Sequence, residues 1–364
     1  MLLASSVISG DPVAAACAVE LVHAGDDAPG LRRLRHGKSF RYVDEQGRAV
    51  RDAATLSRIR ALVIPPAWTD VWISRDPDGH IQATGRDARQ RKQYRYHPKW
   101  RVVRDEAKYH RLVAFCEVLP KLRAAVEHDL ACACLCKRKV VATIVALMER
   151  AQLRVGNDEY ARQNGSYGAT TLRDRHAKIH GDTLELAYRG KSGVQRHVVL
   201  TDRKLARIVR RCRDLPGQRL FQYRDGDEIR AISSNDVNDY LREVTGGPFT
   251  AKDYRTWAAT LGATLLFCAL DHPDSAAGCK RAIKQVLEIV AGKLGHTPAV
   301  CRSSYIHPRV IDDFTANKLQ VGRQLRRRVG EVAVGPDAIE VDRLRAIEPI
   351  VARYLDKKPQ RRHA

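Results

Sequence analysis

Thr183-Leu-Glu-Leu-Ala-Tyr-Arg-Gly-Lys-Ser-Gly-Val-Gln-Arg-His-Val-Val-Leu200 decides the fold class. Polar and apolar side chains alternate over Thr183–Tyr188 and again over Val194–Leu200, the period of two strands. Arg189-Gly190-Lys191-Ser192-Gly193 lies between them and predicts a tight turn, so Lys191 rides the tip of a hairpin. On both sides of this insertion the apolar period is that of helices. A largely helical region that carries a β-hairpin is predicted.

Working outward, Leu112, Phe115, Val118, Leu119, Leu122 and Val126 mark one helical face. Ser233-Ser234 predicts the cap of a helix over 235–244 that ends at Gly246-Gly247. Thr250 caps the next helix, with Asp253 at the capping-box position and Arg255 in its first turns. A long amphipathic helix runs from Ser275 to Leu294 and stops at Gly295. Thr297 then reads as an N-cap with Pro298 at the first helical position, and Pro308 limits that short helix. Before residue 107 the pattern is rich in strands. Ser39–Tyr42 and Arg48–Val50 flank a Glu-Gln-Gly turn, Val71–Ser74 and His80–Ala83 flank Asp76-Pro77-Asp78-Gly79, and a helix-like run, Ala53–Val63, lies between the pairs.

The expected fold class is therefore α+β. Residues 1–30 read as a disordered tail or a misassigned start, 31–106 as a small β-rich domain, 107–330 as a mostly helical domain with a hairpin insertion, and 331–364 as a basic tail with a possible helix at Val341–Tyr354.

Lys and Arg number 64 against 42 Asp and Glu, a formal charge of +22 on 364 residues. A surface this basic attracts a polyanion, and nucleic acid is the commonest such partner. No stretch approaches the roughly 20 apolar residues of a membrane span. Met1–Cys17 is apolar, but Asp11 interrupts it and no Lys or Arg precedes it, against a secretory leader. None of the nine Cys forms a Cys-x-x-Cys pair. Cys132, Cys134 and Cys136 alternate in a stretch that reads as helix, so they should diverge, unlike a metal cluster. Reduced thiols in a cytoplasmic protein, and no metal or other cofactor, are expected.

Five residues carry chemistry when taken together. Arg154 lies in Leu-Arg-Val-Gly-Asn-Asp at what reads as a helix end, Lys191 in Arg-Gly-Lys-Ser-Gly, and Arg255 in Lys-Asp-Tyr-Arg-Thr-Trp. His296 opens Gly-His-Thr-Pro, nine residues before Tyr305. Two guanidiniums, an ammonium, an imidazole and a phenol suffice to attack a phosphodiester with a tyrosine. The guanidiniums and imidazole can hold charge on the non-bridging oxygens. The ammonium can protonate a departing alkoxide, and the phenol can carry the phosphoryl group. One geometric demand follows. Thr297–Tyr305 spans about 12 Å if helical throughout, at ~1.5 Å per residue, so His296 and the Tyr305 hydroxyl share a phosphate only if the tyrosine reaches back or the segment bends.

This series, together with Arg-Val-Gly-Asn-Asp-Glu-Tyr and Ser-Ser-Tyr-Ile, resembles the poxviral and bacterial branch of the type IB DNA topoisomerases over roughly Leu31–Ile311. The resemblance implies that Tyr305 attacks the scissile phosphate to form a 3′-phosphotyrosyl link. It implies that Arg154, Arg255 and His296 contact the non-bridging oxygens and that Lys191 is the general acid toward the 5′-oxygen. It also implies a monomeric clamp around duplex DNA, preferably supercoiled, that works in the nucleoid without ATP or metal. Arg-Gly-Lys-Ser-Gly lacks the first Gly of a nucleotide-binding loop.

Arg86–His97 interleaves basic and aromatic residues, as a duplex-facing surface would. Its Gln93-Tyr94-x-Tyr96 resembles the major-groove segment of the family's N-terminal domain, and Arg91 and Lys92 are candidate phosphate contacts. Asn235, Asn238 and Lys252 are further candidates on the helical side, with capping or solvated surface as the alternative. Two other functions stay open. A tyrosine recombinase shares the catalytic residues, although Lys252 stands where that family commonly has His. A non-catalytic basic DNA-binding protein would account for the charge but not for the five residues.

Overall fold

The computed structural model describes residues 12–37, 39–88 and 90–357. Two compact units divide at residues 111 and 112, and the chain passes from one to the other inside a single helix. The expectations for residues 1–11 and 358–364 lie outside the described residues. Among the described residues no helix is long and apolar enough to cross a membrane.

The first unit is built on a five-stranded antiparallel sheet in the order β2-β1-β3-β4-β5. Its strands are β1 (Gly30–His36), β2 (Ser39–Val43), β3 (Thr69–Ser74), β4 (Ile81–Arg86) and β5 (Lys92–Tyr96). Leu31, Val71, Ile73 and Ala83 bury one face, and Ile59 of the helix Ala53–Ala61 packs into it. The first hairpin differs from expectation. Ser39–Val43 pairs with the preceding strand across a turn at Gly37, whose φ of +60° suits a tight hairpin, and Ala49 contributes only an isolated bridge to Val43. Packing also begins before Leu31. Pro12–Cys17 is a short helix, α1, and Ala16 and Leu21 are buried against Trp100. The apolar composition that reads as a loose tail is thus spent on a small second cluster.

The helix Ala53–Ala61 is α2, and α3 (Pro98–Leu130) joins the units. In the second unit Leu112, Phe115, Leu119, Leu122 and Val126 form the buried stripe of α3. There follow α4 (Lys137–Ala151), α5 (Asp158–Asn164), a small sheet, α6 (Arg203–Arg213), the hairpin β9 (Gln222–Asp225)–β10 (Glu228–Ala231) and α7 (Ser234–Thr245). The small sheet has three strands where the sequence predicts two. Ala177–His180 (β6) pairs with Thr183–Arg189 (β7), which pairs with Gln195–Thr201 (β8).

At the centre lies α8 (Ala251–Ala269), buried almost all round, as an internal helix must be. It packs against α4, α7, α9 (Ala276–Leu294), α11 (Pro308–Thr315), α12 (Gly322–Val329) and α13 (Val341–Asp356). Its start follows the capping box: the Asp253 carboxylate accepts from the Thr250 N–H at 2.8 Å and hydroxyl at 2.9 Å. The helix expected at Val341–Tyr354 is present as α13, and it packs into the second unit instead of lying in a loose basic tail. Leu344, Ile347, Val351 and Tyr354 of α13 are buried, and Glu348 joins a buried ion-pair network. Arg123 spans Glu149 and Glu348 at 2.7 Å each, Arg345 adds a 2.8 Å bond to Glu149, and Trp257 Nε1 lies 3.3 Å from Glu348. One network thereby ties α3, α4, α8 and α13 together.

Candidate active site

Arg154 does not end a helix. Gln152 caps α4 in the left-handed region at φ 52°, and Arg154 lies in the irregular stretch beyond it. That stretch is held by Ala169 N–H, which donates to Arg154 O at 2.8 Å. Gly156 is required there: its φ is +107°, and a Cβ would stand 2.8 Å from Thr170 Oγ1. The guanidinium meets His296, with Nη2 2.9 Å from Nδ1 and 3.0 Å from Nε2.

Arg255 occupies the buried second turn of α8. Its Nη2 donates to Leu294 O at 2.5 Å and its Nη1 to Gln152 O, so one side chain joins the ends of α4 and α9. Nε is buried without a hydrogen-bond partner. Such a donor is an energetic cost in the free protein that an anionic oxygen would relieve. Burial, then the adjacent Arg154 cation, draws this guanidinium down to about 10, offset in part by Tyr305. It remains a cation at neutral pH.

The bend that the sequence demands is present. Thr297 caps the helix α10 (Pro298–Ser304), and Tyr305 follows as its C-cap with φ −132° and ψ −24°, outside the helical region. The tyrosine ring therefore folds back, its centroid 4.2 Å from that of His296 and 5.7 Å from the Arg255 guanidinium carbon. Thr260 of α8 fixes the backbone here: its hydroxyl lies 3.3 Å from Tyr305 O and accepts from His307 N–H at 3.1 Å. Tyr305 is buried in this arrangement.

The electrostatics of His296 are decisive for its chemistry. Burial lowers its pKa first, and Arg154, Arg255, Lys191 and Arg196 lower it further, to about 3. The imidazole is neutral at physiological pH. It can donate one N–H to a phosphate oxygen but brings no charge of its own.

Lys191 sits on the turn between β7 and β8, exposed, with its ammonium 5.5 Å from the centre of the Tyr160 ring. Ser192 and Gly193 both take positive φ to make this turn, which Gly190 closes by donating to Val194 O at 2.8 Å. Lys191 shares a concave lining with Arg154, Tyr188, Arg196, Arg255 and Gly295. All five candidate catalytic residues thus surround one region of the second unit. Sequence reasoning missed Arg196, which is bonded to Gly292 O at 3.1 Å. Its signal was strand register: Arg196 stands opposite Tyr188, beside the turn that carries Lys191.

The DNA-contact candidates are more varied. On β5, Tyr94 is exposed and stacks on Tyr96 at 5.8 Å. Arg91 and Gln93 both bond to Asp87, and Lys92 pairs with Asp26 at 2.7 Å, so their donors are engaged in the free protein. Asn235 and Lys252 are exposed. Asn238 Oδ1 accepts from Ala251 N–H at 3.1 Å, a bond that helps to start α8. The three alternating cysteines are a correction. Cys132–Cys136 is a loop between α3 and α4, not helix, and its thiols converge.

Comparison with known proteins identifies the family. Residues 97–330 match the catalytic core of eukaryotic DNA topoisomerase I, and residues 39–87 match the N-terminal domain of bacterial DNA topoisomerase IB. The chain is 35% identical to the DNA topoisomerase 1B of Acanthamoeba polyphaga mimivirus over 296 residues, 79% of this chain and 88% of that relative. The chain therefore belongs to the type IB DNA topoisomerases, isomerase enzymes that act on DNA.

Proposed function

We propose that this enzyme relaxes supercoiled duplex DNA through a transient 3′-phosphotyrosyl intermediate on Tyr305, without ATP or a catalytic metal. The observation that carries the proposal is the placement of Tyr305 against His296 and Arg255, with Arg154 bonded to the same imidazole. The Tyr305 hydroxyl attacks phosphorus as the bond to the 5′-oxygen breaks. Arg154 and Arg255 balance the charge on the non-bridging oxygens, and neutral His296 adds a hydrogen bond. Lys191 gives its proton to the departing 5′-oxygen. The 5′-hydroxyl end then swivels and attacks the phosphotyrosine in reverse. One phosphodiester replaces another at each step, so the cycle needs no external energy source. The chain works as a monomer, with β5 of the first unit supplying duplex contacts.

Relaxation of a supercoiled plasmid in EDTA without ATP tests this reading, with Tyr305→Phe in parallel. Wild type should relax the plasmid and, on denaturation, leave protein on the 3′ end. Tyr305→Phe should do neither while still binding duplex, because its phosphate contacts are intact. Relaxation by the mutant would remove Tyr305 from the mechanism, and site-dependent strand exchange in place of relaxation would indicate a recombinase.

A further inference from the structure

The loop between α3 and α4 carries Cys132, Cys134 and Cys136, and their Sγ atoms all lie within 4.8 Å of one another. Cys132 Sγ is 3.1 Å from Cys134 Sγ and 3.8 Å from Cys136 Sγ. A tetrahedral ion with Zn–S bonds of ~2.3 Å needs sulfurs about 3.8 Å apart, so small side-chain rotations would give three edges of that polyhedron.

The loop is built rather than slack. Arg211 donates to Ala133 O at 3.2 Å, Arg224 N–H donates to Leu135 O at 3.2 Å, and Lys139 donates to Cys132 O. The carbonyls of Cys132, Ala133 and Leu135 are thus pinned, which fixes the backbone that presents the thiols. Cys136 is also the N-cap of α4 and makes no side-chain capping bond, so its sulfur stands at the positive end of a 15-residue helix.

A second observation points independently to an anionic cluster. Lys139 is buried, and among the described residues no carboxylate pairs with it. Its neighbours Lys137 and Arg138, by contrast, are paired with Asp236 and with Asp129 and Glu243. A buried ammonium held only by a carbonyl is costly. Three thiolates around a divalent cation carry one net negative charge beside it and would offset that cost.

We propose that Cys132, Cys134 and Cys136 form a binding site for a thiophilic cation, Zn²⁺ being the representative ion, which clips the α3–α4 turn. Coordination releases the thiol protons to solvent and leaves the oxidation state of sulfur unchanged. Soft thiolates select such an ion over Mg²⁺ or Ca²⁺. The hollow beside Cys134 and Cys136 opens to solvent, so a water molecule can take the fourth position. The site is structural: none of the five candidate catalytic side chains belongs to it, and it stands whether or not the catalytic proposal holds.

The test uses the full chain, reduced and stripped of metal. Titration with Zn²⁺ against a chromophoric chelator should give one ion per chain, and Co²⁺ should produce thiolate-to-cobalt charge-transfer absorption. Mass-spectrometric mapping of alkylation should show Zn²⁺ protecting Cys132, Cys134 and Cys136 while exposed Cys17 stays reactive. Cys134→Ser should weaken binding by more than the ~100-fold that loss of a supporting partner to a ligand costs. Absence of the cobalt absorption, alkylation unaffected by Zn²⁺, or undiminished binding by Cys134→Ser would each overturn the site. The first two need no variant and so do not depend on its folding. Plasmid relaxation should be the same before and after chelation. Its loss on chelation, with restoration by Zn²⁺, would overturn the purely structural role.

Discussion

The Arg154 guanidinium stands 2.9 Å from His296 Nδ1, and it adds to burial in keeping that imidazole neutral. Burial first, then Arg154 and three further cations, hold the His296 pKa at about 3 against an ordinary 6.5. Titration of His296 followed by NMR should therefore show no protonation between pH 5 and 8, and Arg154→Ala should move its pKa upward. A histidine whose folded pKa is depressed is protonated more readily in the unfolded chain, so its contribution to stability is lost as pH falls below 6.5. A His296 resonance titrating near 6.5 in the free enzyme would contradict this.

A second prediction concerns the buried network of Arg123, Glu149, Arg345 and Glu348. Removing one member leaves an uncompensated charge in the core, so Glu348→Ala should cost about 3–5 kcal/mol in urea unfolding, the usual penalty for breaking a buried pair. Burial would raise the Glu149 pKa, but Arg345 and Arg123 hold it below its ordinary 4.5. Its stabilising effect is complete above that value and is lost as pH falls through the lower folded value. The gap in stability between wild type and Glu149→Gln should therefore narrow on acidification. A gap that widens would place the charge elsewhere.

The contrast between these two clusters shows what the sequence made legible. Caps announce themselves locally: Thr250 with Asp253, Gly295, and Thr297 with Pro298 all stand where their residue types predict. Tyr305 was legible because it follows His296 at a fixed spacing, although the bend that joins their rings depends on Thr260, 45 residues earlier in the chain. Partners so distant leave no local trace. Glu348 lies 225 residues from Arg123, and nothing near it distinguishes a buried ligand of arginine from one more exposed acid on a basic tail. The cysteines misled for the opposite reason. Their spacing within an apparently helical stretch suggested divergence, whereas the chain there turns between two helices and brings the sulfurs together.

Lys92 offers a test of the duplex surface. It is paired with Asp26 at 2.7 Å and must exchange that carboxylate to reach a phosphate. Asp26→Asn should tighten duplex binding at low salt, and Lys92→Ala should weaken it and flatten the dependence of log affinity on log salt by about 1. A slope unchanged in Lys92→Ala would remove this lysine from the phosphate contacts.

The sharpest prediction concerns Lys191. Its place on an exposed turn between β7 and β8, in a lining shared with Arg154 and Arg255, suits an ammonium that approaches the leaving oxygen. If it is the general acid, Lys191→Ala should slow cleavage about 10²–10⁴-fold. Replacing the bridging 5′-oxygen by sulfur removes the need for a proton, because a thiolate departs readily. Cleavage of that substrate should be nearly restored in Lys191→Ala. Arg255→Ala loses charge stabilisation, and with it the bonds to Gln152 O and Leu294 O, so sulfur should help it far less. Equal rescue of both variants, or of neither, would make Lys191 a phosphate contact and assign the proton to another group.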